Sequence, residues 1–380
     1  MSHAPTGTLK QRHQAIRREL TRRGLDALVV TSLPNILYLT NFTGSSAIAV
    51  ITPDRVAFIT DFRYLETVAQ MRGASHECPD LEVVTVEGSY DGTLAAFLGS
   101  LGTRTIGFEA AHLSVSRHMW LSAKLAEGKQ AVSLGPTERV VETAREVKDQ
   151  WERRTLQEGE GRLAAVANSA VHEVRAGRTE REVALAIEAR LRDAGFERPS
   201  FDTIVAGGPN GALPHARPGE RRFVEGDLVV LDFGGVYDSY CTDLTRTVSV
   251  GRAKTRAREV YGAVLEAHDL AVAAVVAGAS RFDIDAAARR SLERAGMADA
   301  FGHGTGHGIG IEIHEDPRIG KRRPEDGEDA EGVRPGMVFT IEPGVYFPGW
   351  GGVRIENDVM VTDTGVEVLT KDSGTELLEI

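Results

Sequence analysis

Cysteine is nearly absent: Cys78 and Cys241 are the only two in 380 residues. Two thiols so far apart make neither a disulfide framework nor a thiolate zinc site, which needs more cysteines at closer spacing. They read as free thiols in a reducing compartment. Long apolar runs are missing too. No stretch approaches the roughly 18 residues of a membrane-spanning helix. Met1-Ser2-His3-Ala4-Pro5 lacks the charged segment and apolar stretch of a secretory signal, so a cytoplasmic location is expected. Nor is there a basic stripe. Lys and Arg number 44 against 55 Asp and Glu, a net charge of −11, and nucleic acid is not an expected partner.

What remains is the composition of an ordinary globular protein, 42% hydrophobic and 26% charged. The length favours two domains. The first reads as α/β. Residues 9 to 24 form an amphipathic helix with Leu9, His13, Ile16 and Leu20 on one side and Gly24 at its stop. A strand at Ala27 to Thr31 follows, then strands near 47–52 and 55–60 around Pro53-Asp54. Gly135-Pro136-Thr137 breaks this alternation, and a long charged helical region, 142 to 176, comes after it. The boundary therefore falls at about 136 to 146, dividing the chain into 1–140 and 141–380. Further helices are expected near 179–194, 254–277 and 283–295.

The second part repeats itself. Gly226-Asp227-Leu228-Val229-Val230-Leu231-Asp232-Phe233-Gly234 resembles Gly336-Met337-Val338-Phe339-Thr340-Ile341-Glu342-Pro343-Gly344. Each is an apolar strand entered by Gly and ending in a carboxylate, one residue and Gly. A second strand follows each, opened by Asp243 in one copy and Glu356 in the other. Upstream, Leu191-Arg192-Asp193-Ala194-Gly195-Phe196 echoes Leu292-Glu293-Arg294-Ala295-Gly296-Met297. The pattern implies two halves about a pseudo-twofold axis, each presenting a pair of acids to the centre.

Acids at the ends of apolar strands are costly unless a cation meets them. One such acid can cap a turn or pair with Arg; two at matched repeat positions argue for a metal. A third element is Gly302-His303-Gly304-Thr305-Gly306-His307-Gly308-Ile309-Gly310, where glycine lets backbone approach closely and His can ligate a metal. Alone, this run could equally cradle an anion. His314-Glu315-Asp316-Pro317-Arg318 is not the helical zinc signature, since Arg318 holds its last position.

These motifs resemble the metallopeptidases of the pita-bread fold, in the Xaa-Pro dipeptidase (prolidase) and Xaa-Pro aminopeptidase (aminopeptidase P) branch. The resemblance covers nearly the whole chain. It runs through Asn35 to Ser45 and Thr60-Asp61-Phe62-Arg63-Tyr64 in the first domain. In the second it runs through Pro214-His215-Ala216, the Asp232 and Asp243 segments, the His303 to Gly310 run, Ile313-His314-Glu315, and the Glu342 and Glu356 segments. It implies an α/β N-terminal domain plus an α+β pita-bread catalytic domain. Carried over residue by residue, it makes Asp232, Asp243, His307, Glu342 and Glu356 ligands of two divalent ions. Asp243 and Glu356 would bridge them, His307 and Glu342 would serve one ion, and Asp232 the other. Four carboxylates and one imidazole suit Mn²⁺ first, then Co²⁺ or Zn²⁺. By the same resemblance Glu342 moves a proton to the leaving nitrogen, His215 and His314 hold the substrate and its oxyanion, and His303 lines the pocket. For His268 and His172, packed core positions are expected instead.

The implied substrates are Xaa-Pro dipeptides or short proline-containing peptides, whose scissile bond is a tertiary amide without an N–H. A dipeptidase must read the terminal carboxylate, a task suited to the planar fork of Arg. Arg318 is the first candidate and Arg354 the second, which favours a dipeptidase, with aminopeptidase P as the alternative and a metal-free binding protein as a remote one. The extra N-terminal domain argues against a methionine aminopeptidase. The resemblance also implies a homodimer, with the segment Asn35 to Ser46 as the candidate loop reaching a partner's site.

Overall fold

The computed structural model describes residues 3–102, 104–128, 132–324, 326 and 332–380. The chain divides after Arg145 into two compact units.

The first unit is built on a mixed six-stranded sheet. Its strands lie in the order Leu81–Thr85, Val56–Thr60, Ile48–Ile51, Ala27–Val30, Thr105–Glu109 and Ser133–Thr137. Helix Thr6–Arg23 buries Leu9, His13, Ile16 and Leu20 and stops at Gly24, whose φ of 67° is left-handed. Gly135-Pro136-Thr137 does not end the alternation as expected. It lies inside the last strand, paired in parallel with Thr105–Glu109 at the sheet edge. An edge strand tolerates Pro because one row of its N–H groups needs no partner.

Asn35 to Ser46 also departs from expectation. Leu33–Thr40 is a helix, and Asn35, Ile36, Tyr38, Leu39 and Thr40 are buried within this unit. The Asn35 amide donates to Glu109 and Glu142, at 2.6 Å each, and its oxygen accepts from Arg145 at 2.7 Å. Glu109 also takes the Thr31 and Ser32 N–H groups. Phe42 packs edge-on against Phe58. Most of the segment is structural.

In the second unit the expected 142–176 helix is broken. Val140–Glu146 ends, Val147 bridges to Met337, and the Lys148 N–H goes to the Gly336 carbonyl at 2.9 Å. Gln150–Ala170 then starts afresh behind a capping box. Asp149 accepts the N–H groups of Trp151 and Glu152, and Glu152 reaches back to the Asp149 N–H. Helical composition alone does not reveal such a break, because the Lys148 N–H is met by the distant Gly336.

The internal repeat extends to individual hydrogen bonds. Helix pairs Gln150–Ala170 with Glu180–Asp193, and Thr255–Ala273 with Arg281–Arg294, open the two halves. Their second helices end alike: the Phe196 N–H reaches back to Leu191 and the Met297 N–H to Leu292, over left-handed Gly195 and Gly296. Gly226 and Gly336 each donate to the far strand of their hairpin, at Val250 and Val361, both at 2.8 Å. Three antiparallel strands follow in each half. Ile204–Gly207, Leu228–Phe233 and Leu244–Ser249 form one set; Gly306–Gly308, Val338–Ile341 and Asn357–Val361 form the core of a five-stranded sheet. Each half has its own apolar cluster, one around Leu163, Ile187 and Phe233, the other around Val264, Leu292 and Phe339. Among the described residues no helix is long and apolar enough to cross a membrane.

The capping box yields a stability prediction. Asp149→Ala should destabilise the protein by about 1 kcal/mol, read as a lower denaturant midpoint with an unchanged slope. No shift would mean that the strand contacts at Val147 and Lys148 suffice to start the helix.

Candidate metal centre

The two hairpins bring their acids together. Asp232 lies inside Leu228–Phe233, opposite Ile204 on one side and Thr245 on the other. Glu342 follows Val338–Ile341, its N–H held by the Thr305 carbonyl at 2.8 Å. Asp243 and Glu356 each stand one residue before a strand, Leu244–Ser249 and Asn357–Val361. The strands of the two halves bond directly at these acids. Glu356 donates its N–H to the Thr245 carbonyl at 3.1 Å, and its carboxylate takes the Thr245 hydroxyl at 2.5 Å. The Asp243 N–H donates to the Asp358 carboxylate at 3.1 Å.

His307 enters on the strand Gly306–Gly308. A Cβ on Gly306 would lie 1.8 Å from the Thr340 carbonyl oxygen, and one on Gly308 2.2 Å from that of Asp316. Only glycine allows so close an approach on both flanks. The His307 Nε2 then sits 3.5 Å from Glu342 and 3.8 Å from Asp243. Asp243, His307 and Glu356 each offer a donor atom, all within 4.8 Å of one another.

One cavity of about 800 Å³ is lined by all ten residues singled out in the sequence. His314 packs edge-on against His307, with ring centroids 4.3 Å apart. His215 is an exposed wall residue. His303 meets the Tyr346 hydroxyl at 3.0 Å. Arg318 reaches the cavity while bonded to the Lys321 carbonyl at 2.7 Å and to Asp326 at 3.1 Å. Arg354 is buried and engaged: it donates to Asp232, to the Tyr346 hydroxyl at 2.7 Å and to the Thr245 hydroxyl at 3.1 Å. It is the guanidinium paired with the acids of the centre. Of the two histidines expected in cores, His268 is buried, but His172 is exposed on a short turn.

The electrostatics follow from crowding. Burial, then the neighbouring acids, pushes Asp243 and Glu356 well above the ordinary carboxylate range, and burial raises Glu342 to about 8. Burial lowers His307 and His303 to about 4 and lowers His314 as well, so these imidazoles are neutral. Burial opposes the charge of Arg354, but Tyr346, Asp232, Glu342 and Glu356 outweigh it and hold the guanidinium charged. One oxygen each of Asp232 and Asp243 is buried without a hydrogen-bond partner. Orphaned carboxylate oxygens, a neutral imidazole and an excess of acid fit divalent cations bound by oxygen and nitrogen.

Sequence reasoning missed the layer behind these acids. Glu160 is fully buried beside Asp358, both of its carboxylate oxygens lack a hydrogen-bond partner among the described residues, and burial raises both groups, Asp358 to about 6. Lys148, almost wholly buried, lies 3.7 Å from Glu315. Glu160 was detectable: it falls on the face of its helix that carries Leu156 and Leu163. Asp358 opens the apolar run Val359-Met360-Val361, whereas Asp232 stood out for closing one. Tyr346 carried no such signal.

Residues 155–363 match the model of metallopeptidase family M24, and residues 12–147 match the creatinase/prolidase N-terminal domain. The structure is similar to an Xaa-Pro dipeptidase from Bacillus anthracis, at 36% identity and a TM-score of 0.88, covering 98% of this chain and 100% of that one. It is similar also to an X-Pro aminopeptidase from Thermotoga maritima, at 32% identity and a TM-score of 0.85, covering 97% and 99%. A peptidase of Bacillus subtilis is 36% identical over 94% of this chain and 97% of its own.

The Arg354–Asp232 pair can be tested without substrate. In the presence of a chelator, Arg354→Met should cost about 3 kcal/mol of stability, because it strands a buried carboxylate. Adding Asp232→Asn should restore most of that loss. A cost below about 1 kcal/mol for the single change would show that the pair is not what balances the centre.

Proposed function

The chain belongs to metallopeptidase family M24, with the pita-bread catalytic unit of that family, and from that premise we propose that it is a two-metal Xaa-Pro dipeptidase. The observation that carries the reading is the convergence of Asp232, Asp243, His307, Glu342 and Glu356 on one cavity, with three of their donor atoms within 4.8 Å. These five residues would hold two divalent ions, Mn²⁺ ahead of Co²⁺ or Zn²⁺. When bound, such ions supply Lewis acidity at a carbonyl and lower the pKa of water.

The side chains divide the remaining work. His314 and His215 present donors to the scissile carbonyl oxygen as it gains charge. Glu342 passes a proton to the proline nitrogen, which has no hydrogen of its own and must gain one to leave. His303, fixed by Tyr346, walls the pocket. Arg318 takes the terminal carboxylate of a dipeptide, exchanging part of its bond to Asp326 for the substrate. The reading includes a homodimer and a cytoplasmic location, on family resemblance and composition.

A second reading, Xaa-Pro aminopeptidase, is favoured by the size of the cavity, since about 800 Å³ admits more than a dipeptide, and by the likeness to the Thermotoga enzyme. Hydrolysis of an Xaa-Pro dipeptide beside an Xaa-Pro-Xaa tripeptide, with Mn²⁺, Co²⁺ and Zn²⁺ in turn, separates the two. A protein that cleaves neither with any of the ions is not an Xaa-Pro peptidase.

Asp243→Ala or Glu356→Ala should abolish turnover and remove at least one ion per chain, measured by elemental mass spectrometry. Full occupancy with near-normal turnover in either variant would refute the ligand assignment.

Arg318→Ala should lower kcat/KM on Xaa-Pro dipeptides about ten- to a hundredfold, the worth of one charged hydrogen bond, and hardly affect a tripeptide. Arg318→Lys should recover only part of the loss, for want of the fork. Equal losses on both substrates would remove Arg318 as the carboxylate reader.

A further inference from the structure

Arg246 is a charge inside a wholly buried strand, Leu244–Ser249. It stands three residues after Asp243, and its counterpart three residues after Glu356 is Val359, so the repeat itself does not call for a cation there. The residue is 4% exposed, and among the described residues no carboxylate accepts a hydrogen bond from it. The guanidinium bonds instead to the carbonyls of Thr245, at 2.8 Å, of Glu356 and of Gly374, and to the Ser373 hydroxyl. Arg cannot shed its charge, and burying one without a bonded anion is costly. The cost points to what the side chain holds.

It holds the joint between the two halves. Thr245 belongs to the first hairpin and Glu356 to the second. The Glu356 N–H goes to the Thr245 carbonyl, and the Glu356 carboxylate takes the Thr245 hydroxyl. Arg246 adds the remaining link, because its Nη1 donates to the carbonyls of both Thr245 and Glu356. The N–H, carbonyl and carboxylate of Glu356 are thus all fixed by two successive residues of the other half. Glu356 is also the carboxylate near enough to act on the Arg246 charge. The competing role is a brace for the segment Ser373 to Leu378. That segment has ties of its own: the Tyr261 hydroxyl donates to the Thr375 carbonyl, and the Ser249 N–H to that of Leu378, each at 2.9 Å.

We propose that Arg246 is a positioning residue of the metal centre, which sets the Glu356 carboxylate by holding its backbone against Thr245. Arg246 is not among the residues that line the cavity, so it acts through Glu356. This inference rests on the reading of Glu356 as a ligand of two ions, and goes beyond it in naming the group that fixes this ligand from behind. Loss of such a support typically weakens metal binding about ten- to a hundredfold.

The test reloads chelator-stripped protein with Mn²⁺. Calorimetry reads the affinity of each ion, and electron paramagnetic resonance reads the coupling of the pair. Arg246→Lys keeps the charge without the fork, and Arg246→Gln keeps an amide donor without the charge. Both should lower the affinity of the weaker-bound ion about ten- to a hundredfold and diminish the coupled signal even at saturating Mn²⁺. Ser373→Ala cuts only the far end of the fork and should match the wild type. Wild-type affinity and coupling in a folded Arg246 variant would overturn the proposal. An equal loss in Ser373→Ala would do the same, and make Arg246 a brace for that segment. Unfolding in chelator checks each fold; if neither Arg246 variant folds, the residue serves folding and the positioning role is overturned. A wild type that takes up no Mn²⁺ fails the metal reading and the positioning with it, whereas uptake indifferent to Arg246 fails the positioning alone.

Discussion

Asp232, Asp243, Glu342 and Glu356 converge in one cavity, and two more carboxylates stand close behind them. That crowding is the constraint from which the rest of the catalytic unit follows. Asp232, Asp243 and Glu356 are at most 8% exposed, and Asp358 and Glu160 are wholly buried. Such a cluster survives only if positive charge or protons meet it. The protein supplies Arg354 within the cluster and Lys148 near it. The remaining excess of acid makes divalent ions welcome, and it explains why the hydroxyls of Thr245 and Tyr346 are spent on fixing Arg354 and Glu356 rather than left to solvent.

Much of this was legible because it broke a rule of composition. Asp232 and Glu342 stand out as charges ending apolar runs, and their recurrence at matched positions marks a duplicated hairpin. The glycines around His307 were conspicuous in sequence, but their reason is spatial: the carbonyls of Thr340 and Asp316 leave no room for a Cβ. What escaped notice did so for reasons equally physical. The break at Val147 to Asp149 depends on Gly336 and Met337, nearly two hundred residues away, taking over the backbone pairing. Pro136 reads as a breaker until its place at a sheet edge is known. Asn35 and Tyr38 look like the polar and aromatic mixture of a binding loop, yet they are the buried side of a short helix. Glu160 hid in a helix already rich in Glu, where only its phase against Leu156 and Leu163 betrays it.

The repeat divides labour unevenly. Both halves give a strand acid and a strand-opening acid, but His307, Glu342 and the cation Arg354 come from the second. The first half adds Asp202, His215 and Arg217 to the wall. A symmetrical frame thus holds an asymmetrical site. The two family domains matched in the chain, and its likeness to enzymes named Xaa-Pro dipeptidase and X-Pro aminopeptidase, agree with one frame that carries more than one activity.

A ribosome delivers these residues in an order that the finished site conceals. Asp232 and Asp243 emerge more than a hundred residues before Arg354, the cation that one of them will pair with, and before Glu356. Until then the first hairpin can keep its acids only in water, because packing them away early would bury charge with nothing to oppose it. Its strands also lack the bonds they will share with the second half, from Thr245 to Glu356 and from Asp243 to Asp358. The catalytic unit is therefore not built by stacking one completed half on another. Its interior closes when the later half arrives, and a chain interrupted between residues 243 and 354 carries half a cage that has no means of closing on an ion.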